Sequence, residues 1–86
     1  MSETSSVRWE ELVQSLLVPM VAHPDVLAIE VSEPPAGGFA IRAAVHPDDT
    51  GRVIGRNGTT VSALRTLIEF AAMRAGTSAT FDVADA

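Results

Sequence analysis

Apolar residues in this chain recur at two spacings, and the switches between them divide it into elements. Trp9, Leu12, Val13, Leu16, Leu17 and Met20 recur every three to four residues, which places them on one face of an amphipathic helix. Ser6 is the expected N-cap, and Glu10 and Glu11 lie near the positive end of the helix. Pro19 should end or kink it, because proline lacks an amide donor and its ring crowds the preceding turn. His23-Pro24-Asp25 then closes the segment. The stripe that contains Trp9 reads as core rather than as a platform for stacking bases. Over residues 26–32 the period drops to two, with Leu27, Ile29 and Val31 alternating with Ala28 and Glu30. Over 39–45, Phe39, Ile41, Ala43 and Val45 alternate with Ala40, Arg42 and Ala44. Both stretches predict strands with one buried face, and Arg42 should point away from it. Pro34-Pro35-Ala36-Gly37-Gly38 between them is turn-rich, which favours an antiparallel hairpin.

Beyond the hairpin, His46-Pro47-Asp48-Asp49-Thr50 reads as a helix start, with proline where its missing donor does no harm and carboxylates near the helix N-terminus. A short helix should run through Val53 and Ile54. A second opens at Thr59 or Thr60, carries Val61, Leu64, Leu67, Ile68, Ala71 and Ala72 at helical spacing, and ends with Gly76 as its C-cap. Ala79, Phe81 and Val83 alternate with Thr80 and Asp82 as a third strand. The order is α-β-β-α-α-β. The connection from the second strand to the third crosses the sheet through two helices, so these strands should be parallel neighbours joined by a right-handed crossover. The fold expected is an α+β sandwich, a three-stranded sheet with the helices packed on one face.

Length allows one domain, since 86 residues is too few for two. We expect a flexible N-terminus over 1–6 and a single domain over 7–84. The chain has no cysteine, which removes disulfides, thiolate-bound zinc and thiol nucleophiles and makes the cytoplasm the expected compartment. The polar, acidic start Met1-Ser2-Glu3-Thr4-Ser5-Ser6 is unlike a signal peptide, and no apolar run approaches the ~18–20 residues that span a membrane. No membrane association is expected. His23 and His46 each sit beside proline, and neither they nor Asp48 and Asp49 form a recognisable catalytic or metal-ligand motif, so no enzyme activity, metal or cofactor is expected.

Net charge is −5, which by itself argues against nucleic acid. Its distribution changes that picture. Residues 1–50 carry two arginines against eight acids, residues 51–75 carry Arg52, Arg56, Arg65 and Arg74 against Glu69, and residues 76–86 carry two acids. A local +3 therefore surrounds Gly55-Arg56-Asn57-Gly58. The glycines bracket two polar residues between consecutive helices, where they can adopt dihedrals closed to other residues and leave the backbone open to a ligand. Amides at the start of the next helix favour an anion such as a sugar-phosphate, and Arg56 can add a charge-assisted hydrogen bond. The four residues alone fit a tight helix–helix turn equally well. The helical spacing after Gly58 persists too long for an Asn57-Gly58 hairpin, and the phosphate-loop and dinucleotide-binding fingerprints are absent.

With its flanks, Gly51-Arg52-Val53-Ile54-Gly55-Arg56-Asn57-Gly58-Thr59-Thr60-Val61 resembles the Val-Ile-Gly-x-x-Gly signature of KH domains, and the element order is similar to their type II arrangement. The whole chain, with Pro19, His23-Pro24 and Pro47-Asp48-Asp49, resembles the small bacterial single-KH-domain proteins of the KhpA family. That resemblance implies a GxxG loop, Gly55, Arg56, Asn57 and Gly58, that contacts the backbone of about four single-stranded nucleotides. It further implies that Ile54 and Val61 line the base groove, that Arg52 flanks the loop as a phosphate contact, and that Arg65 reaches the RNA from the long helix. Each has a plainer alternative: Ile54, Val61 and Leu64 as core, Arg65 as the partner of Glu69 four residues on. Thr59 stands where the family often has a basic residue, which with the acidic net charge predicts weak binding.

The function expected from the resemblance is single-stranded RNA binding in an RNA chaperone or post-transcriptional regulator. The alternative is a protein-interaction module with weak or no RNA binding, forming a homodimer or a heterodimer with a larger KH-containing protein.

Overall fold

Helix α1 spans Trp9–Leu17 and buries Trp9, Val13 and Leu17, the inner edge of the predicted stripe. The structure, a computed structural model, describes residues 8–86; the segment 1–6 expected to be flexible and the cap expected at Ser6 lie outside them. Arg8 occupies the N-cap position and makes no side-chain cap bond. Pro19 acts through the preceding residues, for α1 stops at Leu17 and the chain tightens into a 3-10 turn over Val18–Met20.

Strand β1 covers Ala28–Ser32, two residues less than the alternation suggested. The amides of Val26 and Leu27 donate to the carbonyls of His23 and Pro24 at 3.1 and 3.2 Å, so a turn takes the groups that pairing would need. Strand β2 is Phe39–Val45, α2 is Pro47–Ile54, a 3-10 turn occupies Arg56–Gly58, α3 is Thr59–Arg74 and β3 is Ala79–Asp85. Helix α3 ends with left-handed Gly76, φ 79°; the amides of Gly76 and Thr77 close back on the carbonyls of Met73 and Ala72, the double closure that satisfies a helix's last carbonyls. Strand β3 runs two residues past the expected alternation, and the Ala86 amide still reaches the Val45 carbonyl at 2.7 Å.

The sheet order is β1-β2-β3, with β1 antiparallel and β3 parallel to the central β2, as the hairpin and the crossover require. Register aligns Val31, Ile41 and Phe81 across the three strands, and Glu30, Arg42 and Asp82 beside them. Ile41 and Phe81 are buried, whereas Glu30, Arg42 and Asp82 are exposed, so one face meets the helices and the other meets solvent. Val13 and Leu17 of α1, Val53 of α2, and Leu64, Ile68 and Ala72 of α3 complete the core. Trp9 belongs to it, 5.8 Å from the Phe39 ring. The architecture is the expected α+β sandwich in the type II KH order. Burying each large side chain contributes about 1.5–3 kcal/mol, and with so small a core the loop between α2 and α3 depends on Val53 and Leu64 to fix the helices that flank it.

Candidate nucleic-acid interface

Helix α2 begins at a proline because Pro47 needs no amide partner there. His46 is the N-cap, its Nδ1 accepting the Asp48 amide at 3.0 Å. Asp49 does not serve as a helix-start acid exposed to water. It is buried, and its two carboxylate oxygens accept the Ala22 and His23 amides, each at 3.0 Å. The Ala22 amide is the main cause that holds the Asp49 carboxyl below its ordinary pKa; burial opposes it, and the His23 amide and Arg52 add to it. One carboxylate thus ties the connector after α1 to the helix that leads into the loop. Nothing near Asp49 in sequence signals this, because both partners are more than 25 residues away.

Gly55 terminates α2 at φ 80°, ψ 171°, a region essentially reserved for glycine. A Cβ built there would fall on the Thr60 side chain and within 2.8 Å of the Thr60 nitrogen. Asn57 and Gly58 follow in consecutive left-handed conformations, φ 56° and 74°. Asparagine tolerates that region because its short polar side chain suits it. A Cβ at Gly58 would meet nothing within 4 Å. The Gly58 amide closes on the Gly55 carbonyl at 3.1 Å, and the Thr59 amide and hydroxyl both turn back to the Arg56 carbonyl. Thr59 therefore braces the loop at a position where the family often has a basic residue. Gly58, as N-cap of α3, offers no capping side chain.

The predicted residues converge on this loop unevenly. Arg56 and Asn57 are exposed at its tip. Arg52 lies in the last turn of α2, 58% exposed and 3.7 Å from Asp49, so a buried carboxylate orients it while leaving its guanidinium accessible. Ile54 and Val61 are half-buried on either side of the loop, and Val61 also packs against the core; Leu64 is core. Arg65 does not turn to Glu69. Its Nε donates to the Phe81 carbonyl at 3.2 Å, and its Nη2 lies 3.7 Å from Asp82 Oδ1. Strand β3 is an edge whose outer carbonyls need donors, a stronger demand than an exposed helical ion pair worth roughly 0.2–0.5 kcal/mol. Arg65 thus lies along the seam between α3 and β3, partly neutralised, while Arg56 makes no ion pair among the described residues.

His23 and His46, read from sequence as isolated residues beside prolines, stack with ring centroids 3.9 Å apart. Asp48 approaches both. These are the described residues able to hold a metal ion together. No helix is long and apolar enough to cross a membrane among the described residues.

Comparison with known proteins gives this geometry a family. The KhpA/KhpB KH-domain model matches residues 10–83. RNA-binding protein KhpA of Bacillus subtilis is 34% identical over 76 residues, 88% of this chain and 93% of that protein. RNA-binding protein KhpA of Halalkalibacterium halodurans is 39% identical over 75 residues, 86% of this chain and 96% of that protein. RNA-binding protein KhpA of Streptomyces coelicolor is 42% identical over 59 residues, 69% and 73% of the two chains. No solved structure matches the chain. The loop sits well inside the matched region, and the chain belongs to the KhpA/KhpB family of KH-domain proteins.

Proposed function

We propose that this protein binds single-stranded RNA through the Gly55-Arg56-Asn57-Gly58 loop and serves as a cytoplasmic RNA chaperone or post-transcriptional regulator, without enzymatic activity. The observation that carries this reading is the loop backbone, which holds Gly55, Asn57 and Gly58 at positive φ with open space over Gly58. A sugar-phosphate can approach that backbone closely, and Arg56 and Arg52 supply charge from two sides. Ile54 and Val61 offer apolar surface to bases, and Arg65 contributes from the α3–β3 seam once it exchanges Asp82 for the ligand. The relatives named as RNA-binding proteins support the same reading.

Gly58→Asp is the sharpest test. Aspartate tolerates left-handed φ and the added side chain meets no neighbour, so the fold should survive, whereas Gly55→Asp would collide with Thr60 and confuse folding with binding. A carboxylate about 4 Å from a phosphate costs roughly 1–4 kcal/mol between bulk water and a protein surface, so affinity for a short single-stranded RNA should fall at least about fivefold. A folded Gly58→Asp protein that binds as tightly as the parent would sink the proposal.

A second reading rests on α3. Leu67, Phe70 and Met73 are all more than half exposed and occupy the side of the helix opposite Leu64, Ile68 and Ala72. Such a stripe suits a subunit that pairs with itself, or with a larger KH-containing partner, through a twofold helix contact. Sedimentation of the parent and of Phe70→Glu distinguishes the readings: an assembly lost in the variant supports pairing, and a parent that is monomeric at all concentrations rejects self-pairing.

A further inference from the structure

The proposed RNA site makes no use of the cluster formed by His23, His46 and Asp48. We propose that these three side chains form a binding site for one late first-row divalent metal ion of the zinc, nickel, copper or cobalt class. His23 comes from the connector between α1 and β1, and His46 and Asp48 from the start of α2. His23 Nε2 lies 3.8 Å from Asp48 Oδ2, His46 Nδ1 lies 3.7 Å from the same oxygen, and one ligand atom from each residue falls within 4.8 Å of the others. Ligands bound at about 2.0–2.1 Å around a tetrahedral ion stand roughly 3.4 Å apart, so the two histidine–aspartate spacings close by a few tenths of an ångström and the histidine–histidine spacing, within 4.8 Å, by up to about 1.4 Å.

Three features prepare the site. Each histidine precedes a proline, which narrows its backbone to extended conformations, and His46 is held at φ −57°, ψ 140°. The His23 backbone is pinned from beneath by Asp49, which accepts its amide. Asp48 and Asp49 together place two negative charges at the first turn of α2, offsetting the positive helix end that would otherwise repel a cation. Two imidazole nitrogens with one carboxylate select borderline metals, while magnesium and calcium prefer all-oxygen cages. Three protein ligands leave further positions to water, so the site is an open one.

The stack sets a structural consequence. Rings 22° from parallel cannot both aim an in-plane lone pair at one ion, so loading turns one ring out of the stack. His23 is the one that turns, its side chain being 39% exposed, while His46 Nδ1, whose single lone pair accepts the Asp48 amide at 3.0 Å, gives up that cap bond to the ion. The ion then joins the connector before β1 to the helix that ends at Gly55, and because it binds only the folded arrangement it stabilises the whole domain.

The test uses untagged, EDTA-treated full-length protein titrated with zinc sulfate by calorimetry, and melted with zinc or with magnesium. The expected result is saturation at one zinc per chain, with Tm raised by about 10 °C or more at hundredfold excess over Kd, and no rise with magnesium. His23→Gln and Asp48→Asn alter side chains that are 39% and 76% exposed and leave His46 in place as the cap of α2, so in EDTA the first should melt like the parent and the second within a few degrees of it, yet both should lose affinity at least about tenfold. Histidine ring-proton NMR should show both rings shifting at one equivalent of zinc. Absence of stoichiometric uptake, or His23→Gln and Asp48→Asn binding zinc as tightly as the parent, overturns the site.

Discussion

Alanine at Gly55 and alanine at Gly58 should have unequal costs, although both glycines have positive φ, 80° and 74°. At Gly58 the backbone is in the left-handed helical region, where an ordinary residue costs roughly 1–2 kcal/mol. Replacing glycine also stiffens the unfolded chain and returns about 0.4–1 kcal/mol. With nothing within 4 Å of the new methyl, the net loss should be about 1 kcal/mol or less. At Gly55, ψ of 171° puts the residue in a region that costs other residues about 1–3 kcal/mol, and the methyl must also displace Thr60, whose nitrogen would lie 2.8 Å away. Thr60 sits in the first turn of α3, so relief requires moving the helix start. The combined loss should reach about 3 kcal/mol, a large part of the ~4–13 kcal/mol expected for a domain of this length. Urea titrations followed by circular dichroism and by the fluorescence of buried Trp9, the one tryptophan, measure both. In thermal melts, Gly58→Ala should lose no more than about 4–8 °C and Gly55→Ala about three times that. Equal losses at the two positions would refute this account of the loop, because it assigns a packing role to Gly55 alone.

Other outcomes follow from the same structure. Binding of single-stranded RNA should show a slope of log K against log salt of about −1.4 to −2.1, two or three phosphate contacts at roughly 0.7 each, measured by fluorescence anisotropy at several salt concentrations; a much steeper slope contradicts a footprint confined to the loop. Asp49 has a carboxyl pKa lowered by the Ala22 amide, so the unfolded chain takes up its proton first as pH falls. Its contribution is therefore complete above the ordinary carboxylate pKa of about 3.9 and is lost as pH drops through and below that value. Urea titrations in EDTA should show the parent losing stability on acidification more steeply than Asp49→Asn, and parallel profiles would dismiss the role given to Asp49. Ile68→Ala, at a fully buried position of α3, should cost about 2–5 kcal/mol by urea denaturation, whereas Thr66→Ala on the exposed side should cost less than about 0.5 kcal/mol.

What could be read from sequence was what local periodicity encodes. Alternation at Phe39–Val45 and Ala79–Val83 marked two strands, and the three-to-four spacing through Val61, Leu64 and Ile68 marked the helix that rules out a hairpin at Asn57-Gly58. The loop signature located the candidate site for the same reason: left-handed dihedrals demand glycine or asparagine at particular positions. Partners set by the path of the chain were not legible. Asp49 looks like any helix-start acid until the connector after α1 delivers the Ala22 and His23 amides to it. Arg65 had a partner available at Glu69, yet the edge of β3 crosses beneath α3 and takes it. His23 and His46 carry no common motif, and only the return of β2 alongside β1 brings their rings together. Val26 and Leu27 continued a strand pattern that the turn at His23-Pro24 interrupts.

The most direct measurement of the central claim is an amide-shift titration of the isotopically labelled protein with a single-stranded RNA of about eight nucleotides, twice the roughly four that a GxxG loop clamps. The account predicts that the largest shifts fall within Arg52–Val61, strongest at Arg56, Asn57 and Gly58, with smaller ones at Arg65 and along β3. RNA that leaves Arg52–Val61 unchanged, whether it binds nowhere or shifts only residues elsewhere, contradicts it.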